Sequence, residues 1–153
     1  MALDPSFVGR TYPPTEPYEV GREKIREFAA AVGDANPVYT DPQAAKDLGY
    51  TDVIAPPTCM TLLSFSAMRQ VVEDPALGLD YSRVVHGDQK FSYSRPVQAG
   101  DRLRTVMTID AIKSLAGNDV LTLRGEVTDE NGEHVMTSVM TLVSRAATDQ
   151  AGE

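Results

Sequence analysis

The sequence predicts an α+β domain whose helices come first and are followed by an antiparallel sheet. Three observations carry this. Residues 22–32 show helical apolar spacing, residues 57–72 are uncharged and apolar almost throughout, and the second half alternates at period two between turn signals.

The stretch "TYPPTEP" at 11–17 reads as an extended connector or edge segment, because proline cannot donate within a central strand. In "REKIREFAAAV", Ile25, Phe28, Ala29 and Val32 form one apolar stripe, and Gly33 stops the helix. A short second helix follows, with Asp41 as N-cap, Pro42 at its first position and Gly49 just past its end. The run "PTCMTLLSFSAMRQVV" predicts a helix capped at Thr58, free of charge until Arg69 and buried on most sides. Its stripe of Met60, Leu62, Leu63, Phe65 and Met68 is expected in the core. Four strands follow as a meander: "VVHGDQKFSY", "RLRTVMTIDAI", "DVLTLRGEVT" and "HVMTSVMTLVS". In the second, Leu103, Thr105, Met107, Ile109 and Ala111 share a face. Turn signals separate the strands at 99–101, 116–119 and 130–133, the last holding Asn-Gly. A lone sheet of this size has open edges, for which dimerisation is the usual remedy.

A chain of 153 residues with 42% hydrophobic and 24% charged residues fits one soluble domain, expected over 1–146 with a disordered tail at 147–153. The formal charge of −8 argues against nucleic acid, whose phosphates recruit Lys and Arg. The longest uncharged run, Val53 to Met68, has 16 residues and two internal prolines, short of the ~20 apolar residues of a membrane helix. The first ten residues lack the apolar core of a signal peptide, and the single cysteine fits a reducing cytoplasm. No dinucleotide, P-loop or serine-elbow motif is present, and two distant histidines give no metal-ligand spacing, so no cofactor and no metal are expected. Cys59 reads as a small buried hydrophobe.

Three segments remain: "GDANPVY" at 33–39, "IAPPTCM" at 54–60 and "FSYSRPVQAGDRL" at 91–103. Together and in this order they resemble the MaoC-like (R)-specific enoyl-thioester hydratases and 3-hydroxyacyl-thioester dehydratases. The likeness spans about residues 20 to 145. It implies a hot-dog fold, a curved antiparallel sheet wrapped around a long central helix. Asp34 matches the family's catalytic aspartate, and Asn36-Pro37 the turn that presents it. Tyr39 stands where the family has its catalytic histidine. Ala55-Pro56-Pro57 stands where it has Ala-His-Gly.

These departures have consequences. A histidine titrating near ~6.5 can exchange protons at neutral pH, whereas a tyrosine near ~10 stays protonated. Pro57 has no N–H, so it cannot donate to a thioester oxygen as the family's glycine does. The same variant is similar to the non-catalytic subunits of heterodimeric (3R)-hydroxyacyl-carrier-protein dehydratases, in which the partner supplies Asp and His. The resemblance therefore implies an acyl-thioester-binding subunit, for acyl-CoA or an acyl carrier protein. It would work as a homodimer or as a heterodimer with a catalytic hot-dog chain. Asp34, Tyr39 and His86 are its candidate catalytic residues, and Asn36, Pro57, Thr58 and Met60 its candidate substrate contacts. Two alternatives stay open: a self-sufficient hydratase pairing Asp34 with Tyr39 or with His86 of a neighbouring chain, and a non-enzymatic acyl-binding module. From the residues alone, Asp34 reads as a turn carboxylate, Tyr39 as a pocket wall, and His134 as exposed after the Asn-Gly turn. His86, beside Gly87 on a strand, sits where a bulge is plausible.

Overall fold

The structure, a computed structural model, describes residues 2–145. The expected tail at 147–153 lies outside the described residues. In chain order the elements are β1 (Tyr18–Glu19), α1 (Arg22–Val32), α2 (Pro42–Asp47), α3 (Thr61–Val72), β2 (Val84–Tyr93), β3 (Arg102–Leu115), β4 (Asn118–Thr128) and β5 (His134–Ser144). The strands form one antiparallel sheet in the order β1-β3-β4-β5-β2, curled around α3. This is the hot-dog architecture.

Local chemistry sets most element ends. Gly33 closes α1 in the left-handed conformation (φ 74°) and its N–H returns to Ala29 and Ala30. Asp41 accepts from the Gln43 N–H at 2.9 Å, and Pro42 fits the first turn of α2. The β3–β4 hairpin turns at Ala116-Gly117, both at positive φ, as a two-residue hairpin requires. The proline-rich segment runs along the edge of β3, with Tyr12 and Thr15 donating to the carbonyls of Met107 and Thr105.

Four expectations are corrected. First, the strands are not a simple meander: β2 pairs with β5, not β3, because residues 94–101 form a pinned crossover instead of a tight turn. Ala55 donates to Val97 and Ala99 to Val53, and Arg95 grips Asp101. Second, α3 begins at Thr61 after Met60. Pro56-Pro57 opens a separate turn there, and the Thr58 carbonyl accepts from Thr61. Third, the stripe expected in the core is incomplete, because Leu62 is exposed. Leu63, Ser64, Ala67, Met68 and Val71 face the sheet, whereas Leu62, Ser66 and Arg69 face outward. Fourth, the alternation in β3 breaks at a bulge between Ile109 and Ala111, which takes Ala111 out of the buried set.

Two apolar clusters fill the inside of the curl. One joins α1, the segment 38–63 and the lower strands through Ile25, Met60, Leu103 and Met136. The other joins the end of α3 to Met107, Leu123, Met140 and Leu142. Between them a buried hydroxyl pair, Ser64 Oγ donating to Ser138 Oγ at 2.8 Å, ties α3 to β5. Among the described residues no helix is long and apolar enough to cross a membrane.

Candidate functional site

The segment from Gly33 to Tyr39 builds itself from local hydrogen bonds. The Asp34 N–H caps α1 on the Ala29 carbonyl, and Asp34 Oδ1 accepts from the Asn36 N–H at 3.2 Å. Asn36 Oδ1 accepts from Val38 N–H at 3.1 Å, which folds Pro37–Tyr39 into a single 3-10 turn. That turn buries Val38 and Tyr39 while Asp34 and Asn36 stay exposed. Burial raises the pKa of the Tyr39 phenol, and the Asp34 carboxylate beside it raises it further. Tyr39 is therefore a proton donor here and not a base.

Tyr39 opens onto a cleft of about 320 Å³ whose other walls are Ile54, Ala55, Pro57, the end of β2 at Tyr93, and Ser94 to Val97. The floor is apolar and the rim carries Ser94 and Arg95. Arg95 is held in place by Asp101 at 2.8 and 3.1 Å and by Asp129 at 3.4 Å, so its charge serves the wall. The Tyr93 hydroxyl donates to the Pro57 carbonyl, closing the cleft between β2 and the turn before α3. Burial pushes the Tyr93 phenol well above its ordinary range.

The residues expected to form the site divide clearly. Asp34, Asn36 and Tyr39 lie together on one turn, and Pro57 joins Tyr39 in the cleft wall. Thr58 is exposed in the next turn, and Met60 is core, 1% exposed. His86 stands apart. Its ring packs on Phe65 of α3 with centroids 5.3 Å apart, and its Nε2 lies 3.2 Å from Gln89 Oε1. Tyr93 lies seven positions further along the strand, roughly 23 Å at about 3.3 Å per residue. The bulge expected beside it is present, with the register shifting between His86 and Asp88. Cys59 is 1% exposed, and burial pushes its thiol up to about 11, as suits a small hydrophobe. Tyr93, Ser94 and Arg95 were not expected in the site. The only signal for them was their place in the "FSYSRPV" segment, read as strand and turn alone.

Residues 6–138 match the family model described as "FAS1-like, dehydratase domain region". The chain belongs to this family of MaoC-like dehydratases. Its likeness to other members is extensive. A "UPF0336 protein" of Streptomyces avermitilis is 74% identical over 147 residues, covering 96% of this chain and 98% of that protein. A "UPF0336 protein" of Saccharopolyspora erythraea is 62% identical over 154 residues, covering 100% and 99%. Among solved structures, a C-terminally truncated HadBC (3R-hydroxyacyl-ACP dehydratase) complex from Mycobacterium tuberculosis superposes with a TM-score of 0.82. It is 34% identical over 94% of this chain and 99% of that one. A "MaoC-like dehydratase" superposes at 0.86 with 37% identity over 93% of this chain, which spans only 43% of that longer chain.

The arrangement described here is a cleft of about 320 Å³ with two protonated phenols and no histidine among its walls, and with the Asp34 carboxylate beside one of those phenols. It can hold an apolar chain and offer a hydrogen bond. None of the residues that line it carries an imidazole, the side chain best suited to exchanging protons at neutral pH.

Proposed function

We propose that this chain is the acyl-thioester-holding subunit of a (3R)-hydroxyacyl-thioester dehydratase or enoyl-thioester hydratase, in which a second hot-dog chain brings the histidine. The observation that carries the reading is the cleft itself: Tyr39 and Pro57 occupy its wall, and His86 lies too far along β2 to reach it within one chain. Hydration of a 2-enoyl thioester requires one group to take a proton from water and one to protonate the carbon beside the carbonyl. Asp34 and Tyr39 give a carboxylate and a phenol that keeps its proton, and no imidazole stands with them. The similarity to a HadBC (3R-hydroxyacyl-ACP dehydratase) complex supports a heteromeric hot-dog assembly; the substrate proposed with it is a CoA or carrier-protein thioester and the proposed setting is the cytoplasm. A homodimer that offers His86 to the cleft of its neighbour is the second reading, since β2 is an open edge of the sheet.

Co-expression with a hot-dog chain carrying an intact D-x-N-P-x-H segment, followed by a trans-2-enoyl-CoA hydration assay, tests this. The expected outcome is a stable complex with turnover and background rates for the purified chain alone. Turnover by the chain alone, abolished by Asp34→Ala or His86→Ala, would transfer the assignment to the self-sufficient reading. Failure of every such chain to bind would end the subunit reading.

A further inference from the structure

On the rim of the same cleft lies a second constellation that the hydration reading does not use. Ser94 Oγ is 2.5 Å from Nδ1 of His134, the first residue of β5. On the other side of the ring, Nε2 is 2.8 Å from Thr137 Oγ1 and 3.3 Å from Glu126 Oε2. These contacts fix the tautomer. A carboxylate only accepts, so the single Thr137 hydroxyl hydrogen goes to Glu126 Oε2 at 2.8 Å. The Thr137 oxygen must then accept, and the hydrogen between it and the ring belongs to His134 Nε2. A neutral imidazole carries one N–H, so Nδ1 is left with a free lone pair facing Ser94, whose hydroxyl donates to it.

The remaining supports are in place. Arg124 holds Glu126 at 2.7 Å and is itself held by Asp110 at 3.1 Å. Partial burial works against the Glu126 charge, but Thr137 and Arg124 outweigh it and keep the carboxyl below its ordinary range. A hydroxyl, a base with its lone pair on that hydroxyl and an acid orienting the base make up the pattern of an activated nucleophile. The hydroxyl belongs to a residue that lines the cleft of about 320 Å³.

We propose that Ser94, His134 and Glu126 form a nucleophilic relay that takes the acyl group of a small ester or thioester seated in the cleft. Ser94 Oγ attacks the carbonyl carbon while its proton passes to His134 Nδ1. The carbon–sulfur or carbon–oxygen bond then breaks, and the leaving group receives that proton from Nδ1, leaving an acyl ester on Ser94. Water attacks this ester, giving its proton to Nδ1, which returns it to Ser94 Oγ as the carboxylic acid departs. Glu126 stabilises the imidazolium at Nε2 in both halves. The step needs no second chain, so it stands or falls apart from the hydration reading.

The test uses the purified full chain, a fluorophosphonate probe and p-nitrophenyl acetate, with peptide mass spectrometry to place the adduct. The expected result is a single adduct on Ser94 and ester turnover. Both are lost in Ser94→Ala and slowed roughly 100-fold or more in His134→Gln, the usual worth of a general base. Glu126→Gln slows labelling less than His134→Gln. Circular dichroism confirms that each variant is folded, and His134→Gln keeps the test decisive if Ser94→Ala is not. No adduct on Ser94, or a Ser94 adduct formed as fast in His134→Gln, overturns the proposal.

Discussion

Tyr39 stands where the resemblance leads one to expect an imidazole, and its surroundings suit a phenol. It is 8% exposed, its hydroxyl lies beside Asp34, and both burial and that charge keep the proton on it. Pro57, which lacks an N–H, contributes its carbonyl instead, and Tyr93 donates to it. The backbone at this turn thus presents an acceptor where the resemblance implies a donor. Tyr93→Phe removes that hydrogen bond while keeping the ring. Because Pro57 is exposed, water can replace the lost donor, and the expected cost is about 0.5–1.5 kcal/mol. A urea titration checks this: the midpoint should fall at unchanged slope. An unchanged midpoint would mean that the hydroxyl contributes nothing to closing the cleft.

At the level of elements, α3 and the inner face of the sheet meet at a narrow place. Gly125 of β4 lies there, and a Cβ at this position would come within 3.2 Å of Thr105 Cγ2, 3.4 Å of Met107 Cε and 3.5 Å of Ser138 Oγ. Met107 can bend away, but Thr105 is β-branched, buried and stiff. Gly125→Val adds two further methyls to this contact. The overpacking, about 1–3 kcal/mol, exceeds the ~1 kcal/mol span of strand propensity that favours valine. Guanidinium unfolding should show net destabilisation; a stabilised variant would mean that the sheet spreads there at little cost. The same region shows what the sequence could and could not reveal. The bounds of strands 84–93 and 134–144 were readable to the residue, because polar and turn-forming residues flank them. The partner of β2 was not readable, since pairing with β5 depends on how the 94–101 crossover is pinned to Val53 and Ala55, far away in sequence. Ala111 was misplaced because a bulge adds one residue without any mark in the sequence. For the candidate site, Asp34, Asn36, Tyr39 and Pro57 were legible because they lie in contiguous segments. His134 was read only as exposed, and its Ser94 contact spans 40 positions, which no local pattern encodes.

The whole molecule combines a strongly acidic surface with acids that are buried while neutral. Among the described residues the ten-residue β2 is the last strand of the sheet, and an edge of that length is open to pairing with another strand. Inside, burial raises Cys59 from 9.0 to about 11 and Tyr12 from 10.0 to about 12, with the 2.8 Å bond from Tyr12 to Asp74 adding to the latter, and it raises Tyr93 further. The sign of the linkage follows. In the unfolded chain these groups release their protons near 9 and 10, whereas in the folded chain they keep them to higher pH. Above pH ~9 the unfolded state therefore binds fewer protons, and stability falls as pH rises. Their contribution is complete below pH ~9 and is lost progressively up to about 12. Each unit of difference is worth at most about 1.4 kcal/mol, and less where solvent screens the group, so a decline of roughly 1–3 kcal/mol should appear between pH 9 and 11. Urea midpoints measured at half-unit steps from pH 8 to 11 check this. Cys59→Ala should delay the onset of the decline by about one unit, to where the tyrosines begin to ionise, whereas a midpoint that stays flat to pH 11 would show that these groups ionise in the folded protein as freely as in the unfolded chain.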